Sequence, residues 1–229
     1  AEGMVRAITM IPGTGEFCYS TQKVSSEEIG EGILPPDFPL PGLPFLGARA
    51  TGESYPENMN ARADRSDFLV ALDSLQASIP GVESVSLVVT WFGSDLRAGE
   101  CELRPGVETA DKQTSVSWSV NGITRGDAYV VSVDEDDRPV YGGTPADFSV
   151  VEAIRELKAR GLRVTFYPFI LMDIPSDRTL PDPYSDNAAN VGQPVHPWRG
   201  RITCSPAAGF AGSPDKTIGA YSQIASFFG

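Results

Sequence analysis

The run Thr144–Pro175, TPADFSVVEAIRELKARGLRVTFYPFILMDIP, decides the fold. Thr144 is an N-cap candidate, and Pro145 suits a first helical position, where no N–H is needed. Val150, Val151, Ile154 and Leu157 fall on one helical face, with Glu152, Arg155, Glu156 and Arg160 on the others. Gly161 supplies the left-handed conformation that stops a helix. Val164 to Met172 is then nearly continuously apolar, which predicts a strand covered on both faces in a parallel sheet with helices packed against it. Pro168 would cost that strand a ladder bond, so a bulge is expected beside it. Parallel α/β folds place ligand sites at the C-terminal ends of strands, and Asp173 stands at such an end.

Outward from this run, the same order repeats. Ser66 opens a helix whose stripe is Phe68, Leu69, Leu72, Leu75 and Ile79, stopped by Pro80-Gly81. Val85–Phe92, VSLVVTWF, reads as a buried strand. Between the two units lies a polar, β-prone insertion, SVSWSV and AYVVSV around NGITRGD, for which a hairpin is the simplest reading. A third helix is expected from Ser213 (N-cap) and Pro214, with Ile218, Tyr221, Ile224, Phe227 and Phe228 facing inward. Met4–Val24 reads as a β hairpin turning at PGTGE. Residues 25–60, with GILPPDFPLPGLPFLG, are too rich in Pro and Gly for a helix or a central strand. They read as an extended linker, apolar enough to lie against something. The expected division is therefore residues 1–24, a hairpin segment; 25–60, a linker; and 61–229, an α/β domain.

Of the 229 residues, 41% are hydrophobic and 21% charged, ordinary for a globular domain. No run has the length of a membrane span, and no secretory signal pattern opens the sequence. The net charge of −12 argues against a general nucleic-acid binder and against docking on anionic lipid. Three widely spaced cysteines (Cys18, Cys101 and Cys204) and a single histidine, His196, do not make a zinc site. The odd count favours reduced thiols, with a single disulfide left open.

Candidate binding residues gather at the strand ends. Asp173 reads as a sugar-hydroxyl acceptor, an orienter of a catalytic group, or a loop cap. Trp91 reads as core or as a stacking face for a pyranose. Asp95 and Arg97 read as hydroxyl ligands or as an internal ion pair. Tyr167, in mid-strand, reads as packing. Residues 174–212 make a loop long enough to imply a role, and hold His196, Trp198, Arg199 and Arg201. Trp198 and Arg199 complete the candidates for a glycan site or a subunit contact. His196 reads as structural, and nothing orients it toward Cys204 as a nucleophile–base pair. Asp134-Glu135-Asp136-Asp137 lacks the Gly and the distal Glu of an EF-hand loop and reads as a solvated hairpin tip. Gly13-Thr14-Gly15 is a turn, not a phosphate cradle. No metal or cofactor is implied, and no catalytic residue is assigned.

Three unusual strings, WFGSDLRAG (91–99), YPFILMDIP (167–175) and PWRGRITC (197–204), resemble the large tail-tip baseplate ("megatron") protein of gene transfer agents and related siphophage-like tails. The resemblance runs from about Met4 to the end and falls on the start of that protein's glycosidase-like TIM-barrel domain. A closed eight-stranded barrel needs about 250 residues, so the fold implied is α/β: the opening part of a TIM-like barrel, preceded by a hairpin and a linker. The resemblance implies a virion tail component made in the bacterial cytoplasm. Its partners would be other tail-tip and hub proteins, the rest of its own polypeptide and further copies of itself. It would enter no membrane and bind no nucleic acid. A glycoside hydrolase or glycan-binding domain acting on the host envelope is the alternative. The barrel's proton-donating Glu and second carboxylate would then lie beyond Phe228, leaving this segment inert by itself.

Overall fold

The structure, a computed structural model, describes residues 4–11, 15–27, 54–174, 180–185, 192–197 and 200–229. Strands β1 (Ala7–Met10), β2 (Ser25–Glu27) and β3 (Ser54–Pro56) precede helix α1 (Asp67–Ser78). After the long strand β4 (Ser84–Gly93) come six two-residue strands: β5 (Leu103–Arg104), β6 (Gly106–Val107), β7 (Gln113–Thr114), β8 (Ser119–Val120), β9 (Ile123–Thr124) and β10 (Tyr129–Val130). Helix α2 (Asp147–Ala159), strand β11 (Arg163–Met172) and helix α3 (Ile218–Phe228) follow. The fold is mixed α/β, with parallel and antiparallel pairings. Among the described residues the strands do not close into a barrel.

The chain divides into two compact units: Ala1–Ser86, Thr109–Asp127 and Pro145–Thr165 form one, and Leu87–Glu108, Ala128–Thr144 and Phe166–Gly229 the other. The main sheet has the order β1-β4-β11, with β5 also paired to β4. β4 and β11 run parallel. Arg163 N donates to Glu83 O (2.9 Å) and Asp173 N to Gly93 O (3.0 Å), ten residues on along both strands. That equal step leaves no room for an inserted residue, so the bulge expected at Pro168 does not form. Odd-numbered β11 residues turn their N–H groups toward β4, so the even-numbered Pro168 faces the outer edge and loses no bond to β4.

β4 is buried through Leu87, Val88, Val89 and Thr90, as its sequence predicts. β11 departs from its prediction. It is an edge strand, with Phe166 53% and Tyr167 45% exposed. Apolarity on both faces is present in the sequence, but among the described residues no strand lies beyond β11.

In the first unit, α1 is capped as expected: Ser66 Oγ accepts from Leu69 N, and Phe68 and Leu72 are buried. α2 starts later than its sequence suggests. Ala146 stands at the N-cap, while Thr144 is spent elsewhere: its N–H donates to Gly106 O (2.7 Å) and its Oγ1 accepts from Gly106 N (3.0 Å). The buried stripe of α2 is Ser149, Val150, Ala153 and Leu157, and Val151 points outward. The helix stop is as predicted. Gly161 has φ +78°, Gly161 N bonds Lys158 O, and Leu162 N bonds Leu157 O. This is a Schellman closure, with buried Leu157 and Leu162 as its apolar pair.

Among the described residues of 4–24 no two strands pair as a hairpin. β1 joins β4, and Phe17–Ser20 form turns instead, with Ser20 N bonded to Phe17 O. Pro12–Thr14 lie outside the described residues. The reason is side-chain burial: Phe17 and Tyr19 are each 2% exposed, and Asn58 ties the segment down by accepting from Val24 N and donating to Gln22 O. Much of the expected linker, 28–53, also lies outside the described residues. Its flanks form the antiparallel pair β2–β3, extended by β7. The Glu16 carboxylate pairs with Arg125 in the buried interior, and Arg125 sits over the Trp118 ring.

The insertion holds a hairpin, though a shorter one than expected. Asn121 (φ +50°) and Gly122 (φ +80°) make a two-residue turn joining β8 to β9. The second β-prone run pairs elsewhere, as β10 lies parallel to β6.

α3 spans Ile218–Phe228 with Thr217, not Ser213, as N-cap. Its apolar face is largely outward: Ile218, Tyr221, Ile224 and Phe228 are exposed, Ala220 is buried, and Phe227 packs on the Leu96–Met172 cluster. This corrects the inward stripe predicted from its sequence.

Candidate functional site

The second unit carries two polar clusters where β4 and β11 end. Asp173 directly follows β11 and is 1% exposed. Its Oδ2 accepts from Tyr129 Oη (2.5 Å) and Ser132 N (2.8 Å), and its Oδ1 lies 3.2 Å from His196 Nδ1. His196 is held from several sides. Its N–H donates to Ile174 O (3.1 Å), its ring stands edge-on to Tyr141, and its backbone has φ +43°, uncommon for a residue with a side chain. Tyr141 Oη donates to Met172 O, capping an outward carbonyl of β11. Burial, then the Asp173 carboxylate, push the Tyr129 phenol up to about 12; the same two causes take Tyr141 to about 12. Both phenols are therefore neutral donors at ordinary pH.

Beneath them, Phe92, Val131, Tyr141 and Leu171 form an apolar cluster against which Tyr129 packs. Phe92 comes from β4 and Leu171 from β11. The alternation of each strand puts one side chain under the cluster while the chain end delivers a carboxylate above it.

The second cluster follows β4. Asp95 is 3% exposed; Arg97 donates to it through Nε and Nη2 (2.8 Å at Nη2), and Gln193 Nε2 donates to it at 2.6 Å. Gln193 also accepts from Leu96 N and donates to Pro181 O, so one amide ties the long loop to the end of β4. Burial raises the Asp95 carboxyl, but the bonds from Arg97 and Gln193 outweigh it and hold the group below the ordinary carboxylate value. A parallel bridge between Arg97 and Thr203 adds a second tie.

The structure thus makes Asp95 and Arg97 an internal ion pair and gives Asp173 three internal partners. Trp91 is half-buried in β4. Trp198 and Arg199 lie outside the described residues. Tyr167 is exposed rather than packed away. An apolar groove of about 460 Å³ lies between Ile170, Met172, Ile202, Cys204 and Phe227, and none of the described candidates lines it. Cys18, Cys101 and Cys204 are free thiols, and burial pushes Cys18 and Cys101 up from the ordinary thiol value. In the acidic turn, Asp134 accepts from the backbone of Asp136 and Arg138, and Arg138 pairs with Asp134 and Asp136. Among the described residues no group of three or more His, Cys, Asp or Glu is placed to hold a metal ion.

Sequence reasoning missed Tyr129, Ser132, Tyr141 and Gln193. Gln193 is 98 residues from Asp95, and no local pattern signals it. His196, structural by its sequence, has its ring oriented by the Asp173 carboxylate 3.2 Å from Nδ1.

The fold and these clusters define a mixed α/β protein with polar networks at the ends of two parallel strands. No protein-family model matches the chain, and no curated protein matches it. Among the described residues no helix is long and apolar enough to cross a membrane.

Proposed function

We propose that this chain is a structural component of a phage-like, gene transfer agent-like tail tip or baseplate, and that it carries the opening part of a glycosidase-like TIM-barrel module. One observation carries the reading. The three strings that resemble the baseplate protein come together in one place: Leu96, Met172 and Ile202, one from each, share a single apolar cluster. Strings so far apart in sequence yet packed on one another belong to one structural unit. The exposed apolar groups of β11 and α3, Phe166, Tyr167, Ile218, Tyr221 and Phe228, support a module that assembles with other polypeptide. Partners of this kind would be tail-tip and hub proteins, the rest of the same polypeptide and further copies.

Cross-linking mass spectrometry on tail-like particles from the source cells tests it. Peptides of this chain are expected at the tip, and Phe166→Glu with Tyr167→Glu should lower its incorporation while leaving the isolated chain folded. A chain recovered only as a free monomer, absent from particles, refutes the reading.

The alternative, a glycoside hydrolase or glycan-binding domain, draws on Trp91 near the C-terminal end of β4, where an aromatic can stack on a sugar. Asp95 and Asp173 are each engaged by internal donors, so the alternative does not draw its carboxylate pair from them. Saturable binding of envelope glycans that Trp91→Ala abolishes would favour the alternative.

A further inference from the structure

We infer that Arg104, stacked on Tyr129 beside the end of β4, is the recognition group of a binding site for an oxyanion, the carboxylate or phosphate of an acidic ligand. Arg104 pairs in register with Phe92 of β4, which places it at the strand end where parallel folds put ligands. Its guanidinium carbon lies 3.7 Å from the centre of the Tyr129 ring. That ring is fixed in turn by its hydroxyl on Asp173 and by Phe92.

The argument rests on what Arg104 lacks. Every other arginine withdrawn from solvent among the described residues has a carboxylate: Arg97 has Asp95, Arg125 has Glu16, and Arg160 has Asp73 and Glu156. Arg104 has none, in a chain with 30 acidic residues against 18 basic ones. Its Nε is the one buried side-chain nitrogen or oxygen without a hydrogen-bond partner among the described residues. An unsatisfied donor on a charged group is costly, and stacking on a tyrosine offsets only part of the cost. Among the described residues the Nη groups have no acceptor, and neither is buried. A carboxylate or a phosphate can take both at once through two oxygens, and its charge answers the half-buried cation, while Nε stays buried behind the fork. The fork is held before the ligand arrives, so little side-chain freedom is lost on binding. The Asp173 carboxylate accepts from Tyr129 and Ser132 and lies beside His196, and no hydrogen bond or ion pair joins it to Arg104.

The test uses the whole chain. The Arg104 Nε–H resonance is followed by NMR during titration with glucuronate, with inorganic phosphate, and with glucose as the neutral control. A saturable shift with glucuronate, phosphate or both, and none with glucose, is expected. Glucuronate alone assigns a carboxylate ligand, and phosphate alone a phosphate ligand. Calorimetry on Arg104→Lys, which keeps the charge but loses the fork, should show affinity down about tenfold or more. No shift with either anion, or unchanged affinity in Arg104→Lys, overturns the inference. The resonance experiment needs no variant and so decides even if Arg104→Lys unfolds. The inference stands on Arg104 and Tyr129 alone, so absence of the chain from tail particles would leave it intact.

Discussion

Removing the Asp173 carboxylate is the sharpest perturbation of the strand-end network. In Asp173→Ala, Tyr129 Oη and Ser132 N lose an acceptor, at 2.5 and 2.8 Å, and His196 Nδ1 loses its neighbour at 3.2 Å. Hydrogen bonds to a charged group are each worth about 1.5–3 kcal/mol. Tyr129 and Ser132 are only part-buried, so water entering the vacated space recovers some of this. A net loss of about 3 kcal/mol is expected, at the low end of what breaking a buried charged network costs. Asp173→Asn keeps the shape and one acceptor oxygen, so about 1–2 kcal/mol is expected.

Urea unfolding followed by tryptophan fluorescence gives the totals, and amide exchange at Ser132 gives the local effect. Ser132 N–H should exchange faster in both variants, and more so in Asp173→Ala. A double-mutant cycle with Tyr129→Phe should show coupling above about 0.5 kcal/mol, since the two groups share a bond. If Asp173→Ala unfolds within about 0.5 kcal/mol of the parent, with Ser132 exchange unchanged, the carboxylate is not a structural cap. The argument that it is consumed internally would then fail.

Three further outcomes follow from the geometry. Despite burial, bonds from Arg97 and Gln193 hold the Asp95 carboxyl below its ordinary value, so its contribution to stability is present above the unfolded value and is lost as pH falls through the lower folded one; Asp95→Asn should flatten the acid limb of the stability–pH curve measured by urea unfolding. Gly161→Ala places a side chain at φ +78° and should cost about 1–2 kcal/mol, whereas Leu157→Ala, in the fully buried partner of the same closure, should cost about 2–5 kcal/mol; thermal unfolding that ranks them the other way would contradict the capping geometry. Gly106→Ala would put a Cβ 2.7 Å from the Phe92 ring and 3.1 Å from Val131, so about 1–3 kcal/mol should be lost, with changed near-ultraviolet circular dichroism from the aromatic cluster.

Local rules read well wherever the cause lies within a few residues. Ser66 capped α1 and Gly161 stopped α2 because both act through bonds to backbone three to five positions away. Thr144 failed as a cap for the opposite reason. Gly106, 38 residues back, takes both its N–H and its hydroxyl, and no window on the sequence contains that competition. Asp95 and Arg97, two residues apart, were open to reading as an ion pair; the Gln193 amide that completes the cluster was not. The position of Asp173 came from the strand reading, but its donors come from β10 and the loops, and short strands such as β10 leave no periodic trace.

β11 shows how a correct pattern can carry a wrong conclusion. Continuous apolarity was read as cover on both faces, and Pro168 as a flaw needing a bulge. The register removes the bulge: ten residues of β11 match ten of β4, and the proline's missing donor falls on the side away from β4. A proline at that position also limits what can add there. Val164, Phe166, Ile170 and Met172 still turn N–H groups outward, but the ladder has a gap at its centre, and Tyr141 already occupies the Met172 carbonyl. A strand joining this edge could therefore bond fully only along Val164–Phe166, the stretch that leads into the exposed Phe166 and Tyr167 side chains. The proline and the Tyr141 bond therefore limit any added strand to a short length of this edge.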